Sequence, residues 1–488
     1  MRGSNTPRMN TLKPIYAPLA AQRLGHIPEN LPVIRSRWTR AAQIVLALAP
    51  LSLGGALAQA AVSSVQPTYA ACAKSSDIDG KGTYELFGSN GWIFESYEFS
   101  ALEGLRGTSV AALTRLAKAF KARGSTLILV PVPTRAVSAD KTLDFARYPQ
   151  LQFSKDHYVA SWNTMIAQAR ATGITVIDLL PTVLDFQVNA RGEDFFQSRD
   201  HHWSLSGMEA ATTQIAAQIS ALAQAQKLDL ERQQGELTIK PAGGSAGSMG
   251  SHYMKACDLK IEAMPVYDAT YTAESTSLLD DVEPVIGIFG DSFGLSYSST
   301  RVDKNFGVLL EAKTALPVVN NSVSGNGRTA TLAGYLADPA LVDKLPPFVV
   351  VPFMGGISNS DFDYGQMTAA LIGCSDANRI AQTKFSTPAA KMVFAPQPQG
   401  ASKGNSLIHI HTDAPTNYLE VREGTYTDGS PLKFEIYRTS ASYFTGSRTD
   451  FYSLLADEKS VRSLAVQLEK QGPVSGYVEV CRIPDALR

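Results

Sequence analysis

Apolar residues first settle into a regular rhythm near Thr108. Val110, Leu113, Leu116, Ala117 and Phe120 fall on one stripe at three- and four-residue spacing, which predicts an amphipathic helix. Gly124 ends it. The run Ser125-Thr-Leu-Ile-Leu-Val-Pro-Val-Pro133 has no polar alternation and predicts a buried strand closed by prolines. The cycle repeats with a helix around Trp162–Ala171, a stop at Gly173 and a strand over Ile174–Leu179. A third helix is predicted over Ser206–Gln224, and further apolar strands over Val285–Phe289, Leu316–Val319 and Phe348–Pro352. Uniformly apolar strands separated by helices imply a parallel sheet covered on both faces, the core of a three-layer α/β domain.

After Cys374 the helical period fades. Short segments punctuated by Gly, Pro, Ser and Thr take over: Lys391–Phe394, Leu407–His411, Tyr418–Arg422, Lys433–Tyr437 and Gly476–Val480. Several alternate polar and apolar residues, as half-exposed antiparallel strands do. A chain of 488 residues exceeds what one core usually serves. The expected division is a leader over 1–60, an α/β domain over 61–372 and a β-rich domain over 373–488.

Composition narrows the class of protein. With 44% hydrophobic and 18% charged residues and a net charge of −1, the chain is an ordinary globular one with no bias toward nucleic acid. Arg35, Arg37 and Arg40 precede the apolar run Ala41–Leu53, and Ala58-Gln-Ala60 offers a small-x-small exit, the layout of a secretory signal peptide. Pro50 and Gly54-Gly55 interrupt the run, which favours cleavage over a retained anchor. Export would place the four cysteines where disulfides persist. They contain no CxxC pair. Cys374 and Cys481 bracket the β-rich part and Cys72 and Cys257 lie in the α/β part, so of the three possible pairings the within-domain one is simplest.

Two segments carry candidate chemistry. Strand Val285–Phe289 runs into Gly290-Asp-Ser-Phe-Gly294, placing Ser292 at the carboxyl edge of a buried sheet, where ligands bind. A following helix would point its N–H groups at a developing oxyanion, though an Asp-Ser helix cap would produce the same string. Upstream, Asp200-His201-His202-Trp203 stands just before a helix. An aspartate next to a histidine can accept Nδ1–H and leave Nε2 as a base for serine. Either histidine fits by composition, and Asp200 or Ser204 could instead be a helix N-cap. Of the remaining histidines only His409 and His411 are paired, on one face of a strand. No carboxylate or cysteine adjoins them in sequence, so no metal site is expected there, and no cofactor elsewhere.

Gly-Asp-Ser-Phe resembles the first block of SGNH hydrolases, and Asp-His-His-Trp resembles the Asp-x-His-Trp signature of the AlgJ/AlgX group of alginate O-acetyltransferases. Ordinary SGNH enzymes carry the serine block first. The reversed order here is the circular permutation of that group. The resemblance implies an SGNH-like domain, a C-terminal carbohydrate-binding β-sandwich, two within-domain disulfides and a periplasmic location. It also implies Ser292 as nucleophile, His202 rather than His201 as base and Asp200 as the residue orienting it. Asn320-Asn-Ser-Val-Ser-Gly325-Asn326-Gly327 is similar to the family's glycine block, making Gly325 and Asn326 candidate oxyanion donors. One departure stands out: Val349-Val-Val-Pro-Phe-Met-Gly-Gly356 replaces the Trp-Glu-x-Pro run common in the group.

An alginate acetyltransferase needs a surface for a polyuronate. Lys433, Arg438, Tyr443, Arg448 and Tyr452 supply cations and rings within twenty residues, although the same spacing fits a solvated face interleaved with core aromatics. The expected partners are the anionic polymer, a membrane acetylation complex as acetyl donor and periplasmic export proteins. The alternatives are an acetyl-esterase using the same residues and a non-catalytic polymer-binding scaffold.

Overall fold

In the computed structural model, residues 85–487 are described apart from 150, 250–260, 274–282, 299–300, 304, 326–327, 387–388, 394–405, 417, 427, 438–447, 456–460 and 469–474. The leader and the Cys72–Cys257 pair therefore lie outside the described residues. No helix among the described residues is long and apolar enough to cross a membrane.

The central sheet has five parallel strands: β1 (Thr126–Val132), β2 (Thr175–Val176), β3 (Ile286–Ile288), β4 (Val318–Asn320) and β5 (Phe348–Met354), in the order β4-β3-β5-β1-β2. β1 and β5 are the longest pair, in register from Thr126↔Phe348 to Val132↔Met354. Their side chains are buried on both faces, which explains why neither run alternates. Each fully buried aliphatic side chain here contributes about 1.5–3 kcal/mol relative to exposure.

The predicted helices form with their expected faces inward. Helix α1 (Gly107–Ala122) buries Ala112, Leu113, Leu116, Ala119 and Phe120, and Gly124 follows it at φ +74°. Helix α2 (Lys155–Ala171) starts earlier than its apolar pattern, because Ser154 caps it by accepting the His157 N–H. A short helix, α3 (Leu180–Asp185), follows β2. Helix α4 (Leu205–Gln226) packs against α5 (Asn305–Thr314). After two short helices, α6 (Ala330–Leu336) and α7 (Pro339–Val342), helix α8 (Asp361–Ile372) packs against α1. A long antiparallel hairpin, Gly235–Ser245 with Met264–Ala273, has no counterpart in the sequence-based expectation.

Beyond α8 the strands pair antiparallel in two four-stranded sheets. One holds β6 (Arg379–Phe385), β8 (Ser406–Thr416), β11 (Arg448–Leu454) and β13 (Gly476–Arg482), in the order β6-β13-β8-β11. The other holds β7 (Ala389–Val393), β9 (Tyr418–Tyr426), β10 (Pro431–Tyr437) and β12 (Val461–Leu468), in the order β7-β12-β9-β10. In the first sheet Ile408, Ile410, Phe451, Val478 and Val480 are buried on one face, while Leu407, Tyr452 and Cys481 on the other join the α/β core. Helix α8 lies under that second face, with Leu454 against Gly365.

A Cys374–Cys481 disulfide ties the end of α8 to β13. Closing a loop with a sequence separation of 107 removes entropy from the unfolded chain. The Cys374→Ser/Cys481→Ser variant is expected to lose about 2–4 kcal/mol in equilibrium urea unfolding, with an unchanged native circular dichroism spectrum.

Candidate active site

The acid–histidine segment is the tip of a tight hairpin. The His202 carbonyl accepts the Gln197 N–H at 3.0 Å, the Phe195 carbonyl accepts the Ser204 N–H at 2.9 Å, and Phe196 and Trp203 bridge across it. Ser204, not Asp200, caps α4 by accepting the Gly207 N–H. Asp200 is thereby left for another task. Its Oδ1 lies 2.6 Å from His202 Nδ1 and accepts the His202 backbone N–H at 3.1 Å. Oδ2 accepts the Ser248 N–H at 2.9 Å.

That amide comes from the connection between the two strands of the unpredicted hairpin. Gly247 in this loop has φ +77°, and a β-carbon there would lie 2.2 Å from the Arg199 carbonyl oxygen, so only glycine lets the loop close over Asp200. Arg135, wholly buried, clamps the base of the acid–histidine hairpin. It forks onto Glu98 at 2.6 and 2.7 Å and donates to the carbonyls of Gln197 at 2.8 Å and Ile93 at 2.7 Å. Neither Ser248 nor Arg135 was singled out from the sequence, because their contacts span 48 and 62 residues.

Ser292 sits at the carboxyl end of β3, with Gly290 packed under Pro352 so closely that a β-carbon would meet the Pro352 carbonyl oxygen at 2.3 Å. No α-helix follows. Ser292–Gly294 is a single 3₁₀ turn, capped by Asp291 accepting the Phe293 N–H at 2.8 Å, and a small hairpin, Ser296–Ser298 with Arg301–Asp303, precedes α5. A side-chain frame, not a helix N-terminus, holds the turn. Ser322 Oγ accepts the Gly290 N–H at 3.0 Å, and Asn320 Nδ2 donates to the Gly294 carbonyl at 2.7 Å. Asn320 and Ser322 of the glycine block thus frame the serine turn, three to six positions ahead of Gly325 and Asn326.

The two segments meet through aromatic rings. The ring of Phe293, next to Ser292, lies 4.9 Å from that of His202 and 5.4 Å from that of Trp203, which stacks on Phe306 at 5.2 Å. Ser292, His202 and Asp200 are all buried, at 9%, 3% and 1% exposure. His201 differs. Its Nδ1 stands 4.0 Å from Asp200 Oδ1 and a quarter of its side chain reaches solvent.

Electrostatics separates these groups further. Burial alone would raise the Asp200 carboxyl, but the hydrogen bond and charge of His202 and the Ser248 amide hold it well below the usual carboxylate range. Burial, reinforced by the charges of His202 and Arg135, lowers His201 to about 3, so it is neutral at physiological pH. Asp291 shifts the other way, to about 6, because burial outweighs the Phe293 and Met354 amides and the charges of His202 and Arg328.

Of the other expected positions, Gly325 is exposed with φ +74°, and Asn326 lies outside the described residues. Arg328, just beyond them, was not anticipated. Its Nη2 lies 3.3 Å from where a β-carbon on Gly355 would be, and it is electrostatically coupled to Asp291, Tyr158 and Tyr364. Lys433 lies on β10 and Arg448 opens β11, whereas Arg438 and Tyr443 lie outside the described residues. Tyr452 is buried at 6% exposure and stacked on His409 at 4.4 Å. Its ring is part of the packing against α8 and offers no open face.

Residues 86–353 match the SGNH hydrolase-like domain of the acetyltransferase AlgX. The chain belongs to this family. Among curated relatives, AlgX of Pseudomonas fluorescens is 23% identical over 401 residues, covering 79% of each chain, and AlgX of Azotobacter vinelandii is 28% identical over 347 residues, covering 65% of this chain and 66% of that one. The solved structure of Pseudomonas aeruginosa AlgX superposes with a TM-score of 0.66 at 17% identity, over 84% of this chain and 97% of that chain. That likeness carries the fold. Pro352, within the Val349–Gly356 run, packs directly against Gly290 of the serine turn.

The raised Asp291 value has a stability consequence. The native state prefers the protonated acid, so the stability it contributes is present below the ordinary value of 3.8 and is lost as pH rises through about 6. Asp291→Asn is expected to exceed the wild type by up to about 2–3 kcal/mol at pH 8 and to match it near pH 3.5, measured by urea unfolding at both pH values.

Proposed function

We propose that this chain is a periplasmic alginate O-acetyltransferase that works by double displacement. Ser292 Oγ attacks the acetyl carbonyl while His202 Nε2 takes its proton. The oxyanion is met by Gly325 N–H and the Asn326 amide, collapses, and expels the donor's oxygen with the proton returned by His202. A mannuronate hydroxyl then attacks the acetyl-serine, His202 again serving as base, and the ester forms on the polymer as Ser292 is released.

The observation that supports this reading is the 2.6 Å Asp200–His202 contact beside the serine turn, in a member of an acetyltransferase family. Asp200 as acceptor fixes the Nδ1–H tautomer, which leaves the basic lone pair on Nε2, directed away from Asp200. Neutral His201, more distant from Asp200, has no such orientation.

Residues 373–488 are proposed as a carbohydrate-binding β-sandwich, with Lys433 and Arg448 among its polymer contacts. Tethered binding raises the local concentration of acceptor and favours transfer over hydrolysis. Arg328, beside Asp291, is a further cation suited to the acceptor's carboxylate. The acetyl donor is read as a membrane acetylation complex and the setting as an export assembly.

Acetylated products are to be counted by mass spectrometry with mannuronate oligomers and an activated acetyl ester. The wild type is expected to yield acetylated oligomers, Ser292→Ala none, and Asp200→Asn about 10³–10⁴-fold less, since it permits the wrong tautomer. Free acetate with no acetylated oligomer would favour an esterase, and full turnover by Ser292→Ala would remove serine from the mechanism. Arg328→Gln is expected to raise KM for oligomers several-fold while leaving hydrolysis of a small neutral ester unchanged; equal losses on both would refute the carboxylate contact.

A further inference from the structure

The His409–His411 pair has acidic company: besides Asp413, two residues on and 3.9 Å from His411 Nε2, two acids arrive from neighbouring strands. Alternation on β8 puts both rings on one face, and neighbouring strands add Asp450 from β11 and Glu479 from β13. His409 Nε2 lies 2.8 Å and His411 Nδ1 2.9 Å from the same Asp450 oxygen, Oδ1. The three ligand atoms lie within 4.8 Å of one another. Zinc bonds of about 2.0–2.2 Å put adjacent ligand atoms roughly 3 Å apart, so these atoms need little movement to share one ion.

The surroundings are built for that use. His409 Nδ1 lies 3.0 Å from Glu479 Oε2, the position of the carboxylate that orients a metal-binding imidazole. Glu479 Oε1 is held by Arg379 Nε at 2.6 Å and Gln382 Nε2 at 3.1 Å, while Asp450 Oδ2 accepts the Thr449 hydroxyl at 2.6 Å. Tyr452 and Tyr477 stack on His409 and His411 at 4.4 and 4.8 Å and fix both ring planes. His409 and Asp450 are largely buried, but 26% of the His411 side chain is exposed, which leaves a side open for water or an anionic ligand.

We infer that His409 Nε2, His411 Nδ1 and Asp450 Oδ1 bind a divalent transition metal, zinc first among them, with Glu479 orienting His409. Two imidazoles and a carboxylate are a donor set suited to zinc, and an open position remains. The competing account is metal-free: a doubly donating His409 imidazolium bridges Asp450 and Glu479.

The test uses the untagged full-length protein, stripped with chelator, titrated with zinc chloride by calorimetry and assayed for bound metal after gel filtration. One zinc per chain is expected from the wild type. His411→Ala and Asp450→Asn should bind at least about tenfold more weakly, and Glu479→Gln about 10–100-fold more weakly. His202→Ala should retain the zinc, which separates this cluster from the Asp200–His201–His202 group. Circular dichroism checks each fold; should His411→Ala not fold, the cobalt spectrum of the wild type and its loss in Glu479→Gln decide instead. Folded wild type that takes no stoichiometric zinc overturns the inference, as does zinc lost in His202→Ala and kept in His411→Ala.

Discussion

Burying Asp200 at 1% exposure is the constraint around which the site is arranged. An unpaired buried carboxylate would cost several kcal/mol, so it must be matched by donors held in place. Three donors do this: His202 Nδ1–H, the His202 backbone N–H and the Ser248 N–H. Each depends on a different part of the chain. The tight hairpin supplies the first two, and the Gly247 loop supplies the third. Arg135, itself neutralised by Glu98, holds that hairpin by its Gln197 carbonyl. The packing of Phe293 between His202 and Trp203 then joins this assembly to the serine turn.

The β-rich region shares this logic of polar groups satisfied across distance. Its first sheet buries an aliphatic face on one side and presents Leu407, Tyr452 and Cys481 to the α/β core on the other. Where that second face extends, imidazoles, tyrosines and acids replace aliphatic residues, and each acid is bonded to two or more neighbours. The cluster spans all four strands of the sheet.

Much of this was legible in the chain. The β1, β3, β4 and β5 runs and helices α1, α2 and α4 carry their period in local sequence, and parallel order follows from their alternation. Ser292 and the Asp200–His202 pair were visible as short motifs at strand and helix ends. What was not legible lies in pairing between distant segments. In the Gly235–Ala273 hairpin Glu236-Leu-Thr-Ile-Lys240 alternates as a half-exposed strand does, but Gly and Pro interrupt the rest and nothing local announced the Ser248 amide it delivers. Ser292 opens a 3₁₀ turn rather than an α-helix, and that turn is held by Asn320 and Ser322, which arrive from the next strand. Tyr452 fitted a polymer-facing ring or a core aromatic equally by spacing, and it is buried and packed on His409. Asp450 and Glu479 reach His409 from 41 and 70 residues away, beyond any spacing rule.

The central claim is that acetyl passes through Ser292. It is tested most directly by trapping the intermediate: the protein is mixed with an activated acetyl ester without acceptor, quenched in acid, and read by intact mass and peptide mapping. A single added acetyl group on the peptide carrying Ser292, discharged on adding mannuronate oligomer, is the predicted result. Acetylated oligomer formed with no acetyl ever found on Ser292, or with the group on another residue, would contradict it.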